Sequence, residues 1–382
     1  MRVGLKSVYS RSQIRGERNV QCNGGMFMRR ICGVIALTVG IAIVGAVAWA
    51  QSSASAGPYK VLKIVKVGGV GGFDYISADV QNRRLYIPRN GAMGGLTVFN
   101  LDTLEPAGTI DSVKSGGAVV DPKSGHGFSS TKPITMWDAK TLQVIKTIDV
   151  DNRPDGIEFD PFNERVWVLS HSAPMAVVID AKEGTVVGPV MGLDERGTAE
   201  QAASDGKGTV YVNVSDKGGV AVVDAKSLKV THYYDVSAKG VHGSGMAYDA
   251  KNHIIFAYMR DPAPVVVILN ADNGNIITTL PTGAGVDTVA FNPDTMEAIS
   301  GEAAGTMTII KENSPTDFVV EQTLKTMVGA KTIAFDSKTG RVFSMAAEYG
   351  PPPAEAPTSG GGRGGRGPMI PGSFSILMVG RQ

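Results

Sequence analysis

The chain has 382 residues, with 37 Lys and Arg against 36 Asp and Glu, for a formal charge of +1. That balance excludes a global electrostatic pull toward nucleic acid or acidic substrates, so no nucleic-acid partner is expected. Hydrophobic residues make up 43%, enough for a large core, and 48 Gly and 20 Pro ask for many turns.

Residues 31 to 50 carry no charge and follow Arg29 and Arg30, the basic start and apolar run of an export signal. Ala48-Trp49-Ala50 offers a small-x-small cleavage site before Gln51, which predicts a periplasmic or secreted protein. The competing reading is an uncleaved inner-membrane anchor over residues 31–50, the protein's only membrane contact, because the run is also about the 20 residues that a span requires. Met26 or Met28 would make a more ordinary start than Met1. Both cysteines, Cys22 and Cys32, precede the cleavage site, so a processed chain would carry no thiol site or disulfide.

Beyond this 1–50 extension the chain repeats. A polar residue closes a short alternating run at Asp79, Asp121, Asp160, Asp205, Asp249, Asn292 and Asp336, at spacings of 42, 39, 45, 44, 43 and 44. Each of these markers is followed by a turn and a β-branched or aromatic run, as in Leu85-Tyr86-Ile87, Val166-Trp167-Val168 and Ile255-Phe256-Ala257. A third strand ends in a polar turn, as at Val177-Val178-Ile179-Asp180. A fourth closes the unit, as at Val144 to Ile148. Four antiparallel strands per repeat, seven times, predict an all-β, seven-bladed β-propeller over residues 59–382. The last repeat has strands at Thr332 to Phe335, Val342 to Met345 and Phe374 to Val379 but no fourth. The run Val61 to Val67, ahead of the first repeat, supplies that strand and closes the ring as a clasp. Blade six breaks the pattern, with Ile310-Lys311-Glu312-Asn313 where an Asp turn is expected.

The units resemble those of the YVTN-repeat, YncE-like seven-bladed propellers exported by bacteria. The resemblance is carried by Tyr86-Ile87-Pro88-Arg89-Asn90, Tyr211-Val212-Asn213 and the turns Ile179-Asp180-Ala181-Lys182 and Val223-Asp224-Ala225-Lys226. It implies the fold; in that family the repeat is structural, and it implies no particular activity.

Residues 348–373 fall outside the repeat, between the second and third strands of blade seven. Eight Gly and six Pro among them predict a loop rather than a packed element, and it carries Arg363 and Arg366. The GxGxxG match at Gly362 to Gly367 neither follows a strand directly nor opens a helix, so no dinucleotide site is read from it. Antiparallel pairing sends this loop to the edge where the innermost strands begin, as a cover for the channel mouth.

Chemistry is expected at that mouth. Five residues before the markers stand Asp74, Gly116, Asp155, Glu200, Ser244, Asp287 and Lys331, with His242 and Arg153 close to the same rim. Asp155 and Glu200, on adjacent blades, are the expected pair. At a separation of about 10 Å their repulsion is only about 0.4 kcal/mol in water and about 1.7 at an effective dielectric near 20, so a solvated acidic rim needs no metal. A divalent cation is the cofactor such a ring could take, and nothing in the sequence requires one. Calcium would need six to eight oxygens at about 2.3–2.6 Å.

No GxSxG, HExxH or P-loop is present. His242-Gly243-Ser244 has no positioned acid, His171 falls in a loop, and no histidine stands at metal-ligand spacing from another. Trp137 and Trp167 read as core. The leading expectation is therefore a non-catalytic, monomeric propeller binding a small polar ligand or a protein partner through Asp74, Asp155, Glu200, His242, Asp287, Lys331 and Arg153. The alternative is a metal-dependent lactonase or hydrolase using Asp155, Glu200, Asp287 and His242. A third reading docks an electron-transfer partner, which would have to bring its own haem because the chain has no CxxCH.

Overall fold

A computed structural model describes residues 57–351, apart from 70, 91–93 and 114–115, together with 367–382. The expected export signal over residues 31–50, both cysteines, Arg363 and Arg366 lie outside the described residues.

The seven repeats form seven four-stranded antiparallel sheets. In blade three the strands are Pro154–Asp160, Arg165–Ser170, Ala176–Asp180 and Thr185–Pro189, paired in sequence order. The marker residues explain why each first strand stops where it does. In every blade the marker side chain accepts a backbone N–H two or three residues on: Asn82 to Asp79, Lys123 to Asp121, Phe162 to Asp160, Lys207 to Asp205, Lys251 to Asp249, Asp294 to Asn292 and Lys338 to Asp336. Such a side chain mimics a backbone turn, which is why Asp or Asn recurs there.

There is no single central core. The buried apolar residues fall into seven main clusters, each at the interface of two neighbouring blades. Blades one and two share Tyr86, Val98 and Trp137, blades three and four share Trp167, Leu169 and Val212, and blades seven and one share Phe343, Phe374 and Leu85. Every sheet thus buries both faces against neighbours, and only a closed ring leaves no apolar face over.

Closure follows the expected route. Tyr59–Lys66 pairs antiparallel with Ser375–Arg381 and completes the sheet of Ile333–Asp336 and Arg341–Ala346. In blade six the Asp turn is indeed missing. Glu312 is a ladder residue instead, and Thr306–Ser314 and Asp317–Lys325 run for nine residues each on either side of a turn at Pro315 and Thr316.

Candidate functional site

Four of the seven innermost strands are bulged at the same place. Pairing with the second strand is interrupted between Pro154 and Ile157, Ala199 and Ala202, Gly243 and Met246, and Val286 and Val289. Each gap holds two unpaired residues: Asp155 and Gly156, Glu200 and Gln201, Ser244 and Gly245, Asp287 and Thr288. A bulge leaves residues outside the ladder and re-aims their side chains. In these blades it releases the ring residues of the channel mouth from the alternation that governs the rest of the strand.

The residues one step deeper set the channel floor. Tyr75 on blade one is buried, and its hydroxyl donates to Glu200 Oε2 on blade four at 3.2 Å. Gln201 on blade four accepts the N–H groups of Met246 on blade five and Val289 on blade six, and donates to the Val289 carbonyl at 3.0 Å. These two side chains cross the channel. The matching position on blade two is Gly117, where an added Cβ would come within 2.9 Å of Tyr75 Cβ. The mouth is therefore a floored recess rather than the end of an open pore.

Around it the charges sort into two halves. On one side Lys331 Nζ lies 2.5 Å from Asp287 and 3.9 Å from Asp74, while Arg260 reaches Asp287 at 2.9 Å and donates to the Val286 carbonyl at 2.8 Å. This half lines a cavity of about 630 Å3 with Phe73, Asn90 and Tyr349. The base of the loop over 348–373 reaches it through Tyr349, which bridges Met369, and through Gly367. The loop thus emerges beside the mouth as the topology required.

On the other side stand Asp155, His171 and Glu200. His171 Nε2 lies 3.2 Å from Asp155 Oδ2 and 3.2 Å from Glu200 Oε1, and one ligand atom from each residue falls within 4.8 Å of the others. Hydrogen bonds to Asp155 and to Glu200 push the imidazole up to about 10, so the ring is an imidazolium at neutral pH. Ser170, fully buried, holds the loop that carries it. Its hydroxyl donates to the Arg153 carbonyl and accepts from Arg153 and Ser172 N–H, which fixes His171 relative to the entry of the Asp155 strand.

This corrects one expectation. The acid pair is not a wide wet rim: at 4.8 Å or less the repulsion is at least about 3.5 kcal/mol at an effective dielectric near 20, too much for the pair to stand without a counter-charge. His171, in the loop that follows the second strand of blade three, is that counter-charge. Proximity through the fold, not sequence spacing, brings it there.

The other expected residues divide. Asp74, Asp287 and Lys331 share one network, as described. His242 turns away to Asp261 on its own blade at 2.7 Å and is exposed, and Ser244 is buried with its hydroxyl on the Val286 carbonyl, so the two make no nucleophile pair. Arg153 is exposed beside a separate cavity of about 400 Å3 lined by Ser130 and Lys132. Gly116 contributes only backbone at positive φ. Tyr75, Arg260 and His171 are the site residues that repeat positions alone did not mark.

Burial, and then the carboxylates of Glu200, Asp155, Asp287 and Asp74, push the Tyr75 hydroxyl well above its usual range. One group therefore feels both halves of the ring.

No protein-family model matches the chain. Over 146 residues it is 28% identical to the uncharacterized protein YncE of Escherichia coli O157:H7, a match spanning 36% of this chain and 40% of that protein. The chain thus matches about two fifths of that relative's length. It superposes on a chain of Kuenenia stuttgartiensis hydrazine synthase with a TM-score of 0.61 at 15% identity, covering 73% of this chain and 95% of the other. At that identity the likeness is one of fold.

Proposed function

We propose that this YncE-like seven-bladed propeller is an exported, non-catalytic binding protein that takes a small polar ligand at its channel mouth. The observation that carries the proposal is the floored recess. Tyr75 and Gln201 bridge blades across the ring, and the cavity of about 630 Å3 at Lys331 and Asp287 falls in the range of small-molecule sites. Its walls present Arg260, Lys331, Asp287 and Asn90, a set that recognises polar groups of either sign. A recess of this kind suits a small ligand better than a flat protein partner. Export rests on the apolar run over 31–50.

The second reading, a metal-dependent hydrolase acting on lactones or similar esters, is favoured by the approach of His171 to two carboxylates. It ranks second because Asp287, a further acid of the ring, is held by both Arg260 and Lys331 and is poorly placed to serve as a base.

Thermal-shift screening of the purified protein against amino acids, polyamines, sugars and hydroxy acids tests the binding reading. At 100 times its dissociation constant a ligand adds about 2.7 kcal/mol of stability. At least one solute should raise the melting temperature of wild type but not of Lys331→Met. A panel without any such solute, or turnover of a simple lactone by the purified protein, would sink the proposal.

A further inference from the structure

We propose that Asp155, His171 and Glu200 form a binding site for one divalent transition-metal ion of the zinc or manganese type, on the side of the mouth opposite Lys331. The inference deepens the binding reading and rests on it, since the ion would make this half of the mouth part of the ligand site.

Geometry is the first ground. With metal–ligand bonds of about 2.0–2.2 Å, neighbouring ligand atoms in a tetrahedral or octahedral shell lie about 2.9–3.5 Å apart. His171 Nε2 sits 3.2 Å from each of the two carboxylate oxygens, the spacing of adjacent ligands, and one ligand atom from each of the three residues lies within 4.8 Å of the others. They come from three separate segments, two bulged strands and the loop after Ser170, and the Ser170 hydroxyl ties that loop to the entry of the Asp155 strand. The second oxygen of Glu200 is engaged by the buried Tyr75 hydroxyl, leaving Oε1 for the ion. That is the outer-shell support that orients a ligating carboxylate.

Charge is the second ground. Asp287 and Asp74 are matched by Arg260 and Lys331 within their own half of the ring. Among the described residues the only ion-pair partner of Asp155 and Glu200 is His171. Once an ion takes the place of the His171 proton, two carboxylates and a neutral imidazole carry the charge that one divalent ion cancels. The donor set names the class of ion. One imidazole with two carboxylates suits zinc, manganese or iron(II), whereas calcium asks for six to eight oxygens and magnesium holds its waters. Three protein ligands leave at least one position for water or for a ligand's oxygen.

The test is titration of chelator-treated full-length protein with ZnCl2, MnCl2 and CaCl2, by calorimetry and by metal analysis after dialysis. One Zn2+ or Mn2+ per chain is expected, with Ca2+ at least 100-fold weaker. His171→Ala and Glu200→Gln should each weaken the transition ion by about 100-fold, and Tyr75→Phe by about tenfold, the scale of outer-shell effects. Where a variant does not fold, Co2+ added to wild type decides the matter through the d–d absorption of a bound, partly nitrogen-ligated ion. The inference is overturned by wild-type protein that takes no stoichiometric ion, by binding within twofold of wild type in folded His171→Ala, or by equal affinity for calcium. Lys331-dependent solute binding without any metal would overturn this inference alone and leave the binding reading standing. A stoichiometric ion in a protein that binds no solute would do the reverse.

Discussion

The hydroxyl of Tyr75 reaches from the first blade to Glu200 on the fourth, donating at 3.2 Å across the channel. One side chain thereby ties together blades that share no interface. Tyr75→Phe removes the donor and leaves a half-buried carboxylate oxygen short of a partner, at a cost of about 1–2 kcal/mol. Tyr75→Ala removes the ring as well and opens the floor, so it should cost about 3–5 kcal/mol, as other large-to-small aromatic changes do. Urea unfolding of the two variants checks the order; equal losses would mean that the ring, and not its hydroxyl, matters.

His171 predicts a pH dependence with a definite sign. Its folded-state value is raised to about 10 by the hydrogen bonds to Asp155 and Glu200, above the unfolded value of 6.5. The stability it contributes is therefore fully present below about pH 6.5 and is lost as pH rises through about 10. The stability difference between wild type and His171→Gln, measured without metal, should shrink steadily across that window. The imidazole is partly exposed, so the size of the effect is screened. A difference that grows with pH would contradict the assignment, and an imidazole NMR titration centred near 6.5 would too.

What the sequence made legible, and what it hid, follow from the physics of the repeat. The Asp turns at Asp79, Asp160 and Asp336 are local: a side chain bonds its own backbone two or three residues on, so spacing alone revealed seven blades and the missing fourth strand. The ring positions Asp155, Glu200 and Asp287 were legible for the same reason, as homologous places in a repeat. Two things were not. The bulge between Pro154 and Ile157 breaks the strand alternation and carries no residue signature, so the directions of Asp155 and Gly156 could not be read. His171 and Arg260 enter from the ends of second strands, and their meeting with Glu200 and Asp287 is tertiary contact between neighbouring blades, which a blade-by-blade reading does not see.

Glu158 illustrates a residue that breaks its repeat. Two places before the marker the other blades carry Ser77, Val119, Ala203, Ala247, Ala290 and Ala334, while blade three carries a carboxyl. Burial, and next the Asp160 charge, push it up to about 8. A carboxyl raised in the folded state gives its stabilising contribution below the unfolded value near 4.5 and loses it as pH climbs to about 8. Glu158→Gln should leave stability near wild type at pH 5 and raise it by about 1–3 kcal/mol at pH 8.5, the usual scale for relieving an ill-solvated polar group. Parallel thermal unfolding at the two pH values checks it; a gain at pH 5 as large as that at pH 8.5 would show that packing, not ionisation, is responsible.

The clasp supplies the last prediction. Tyr59 begins the strand that closes the ring, and its hydroxyl donates to Glu297 Oε2 on blade six at 2.6 Å. Arg381, at the end of the partner strand, pairs with the other oxygen of the same carboxylate, and Thr295 Oγ1 adds a bond at 2.6 Å. Gln322 grips the Tyr59 backbone on both sides, through its N–H and its carbonyl at 2.9 Å each. Glu297 is fully buried. Burial pushes its carboxyl up, but the bonds from Thr295, Tyr59 and Arg381 outweigh burial and hold it below the ordinary glutamate range. Its contribution is thus present above about pH 4.5 and lost as pH falls through the lowered value. Glu297→Ala leaves the Arg381 guanidinium without its buried partner and should cost about 3–5 kcal/mol at neutral pH. Tyr59→Phe should cost about 1 kcal/mol. Removing the whole of Tyr59–Lys66 strips the fourth strand from blade seven and exposes the edge of Ser375–Arg381, a template for pairing with another chain. Size-exclusion chromatography of that truncation should show dimers or larger species; a stable monomer with wild-type unfolding would mean that three strands suffice to close the ring.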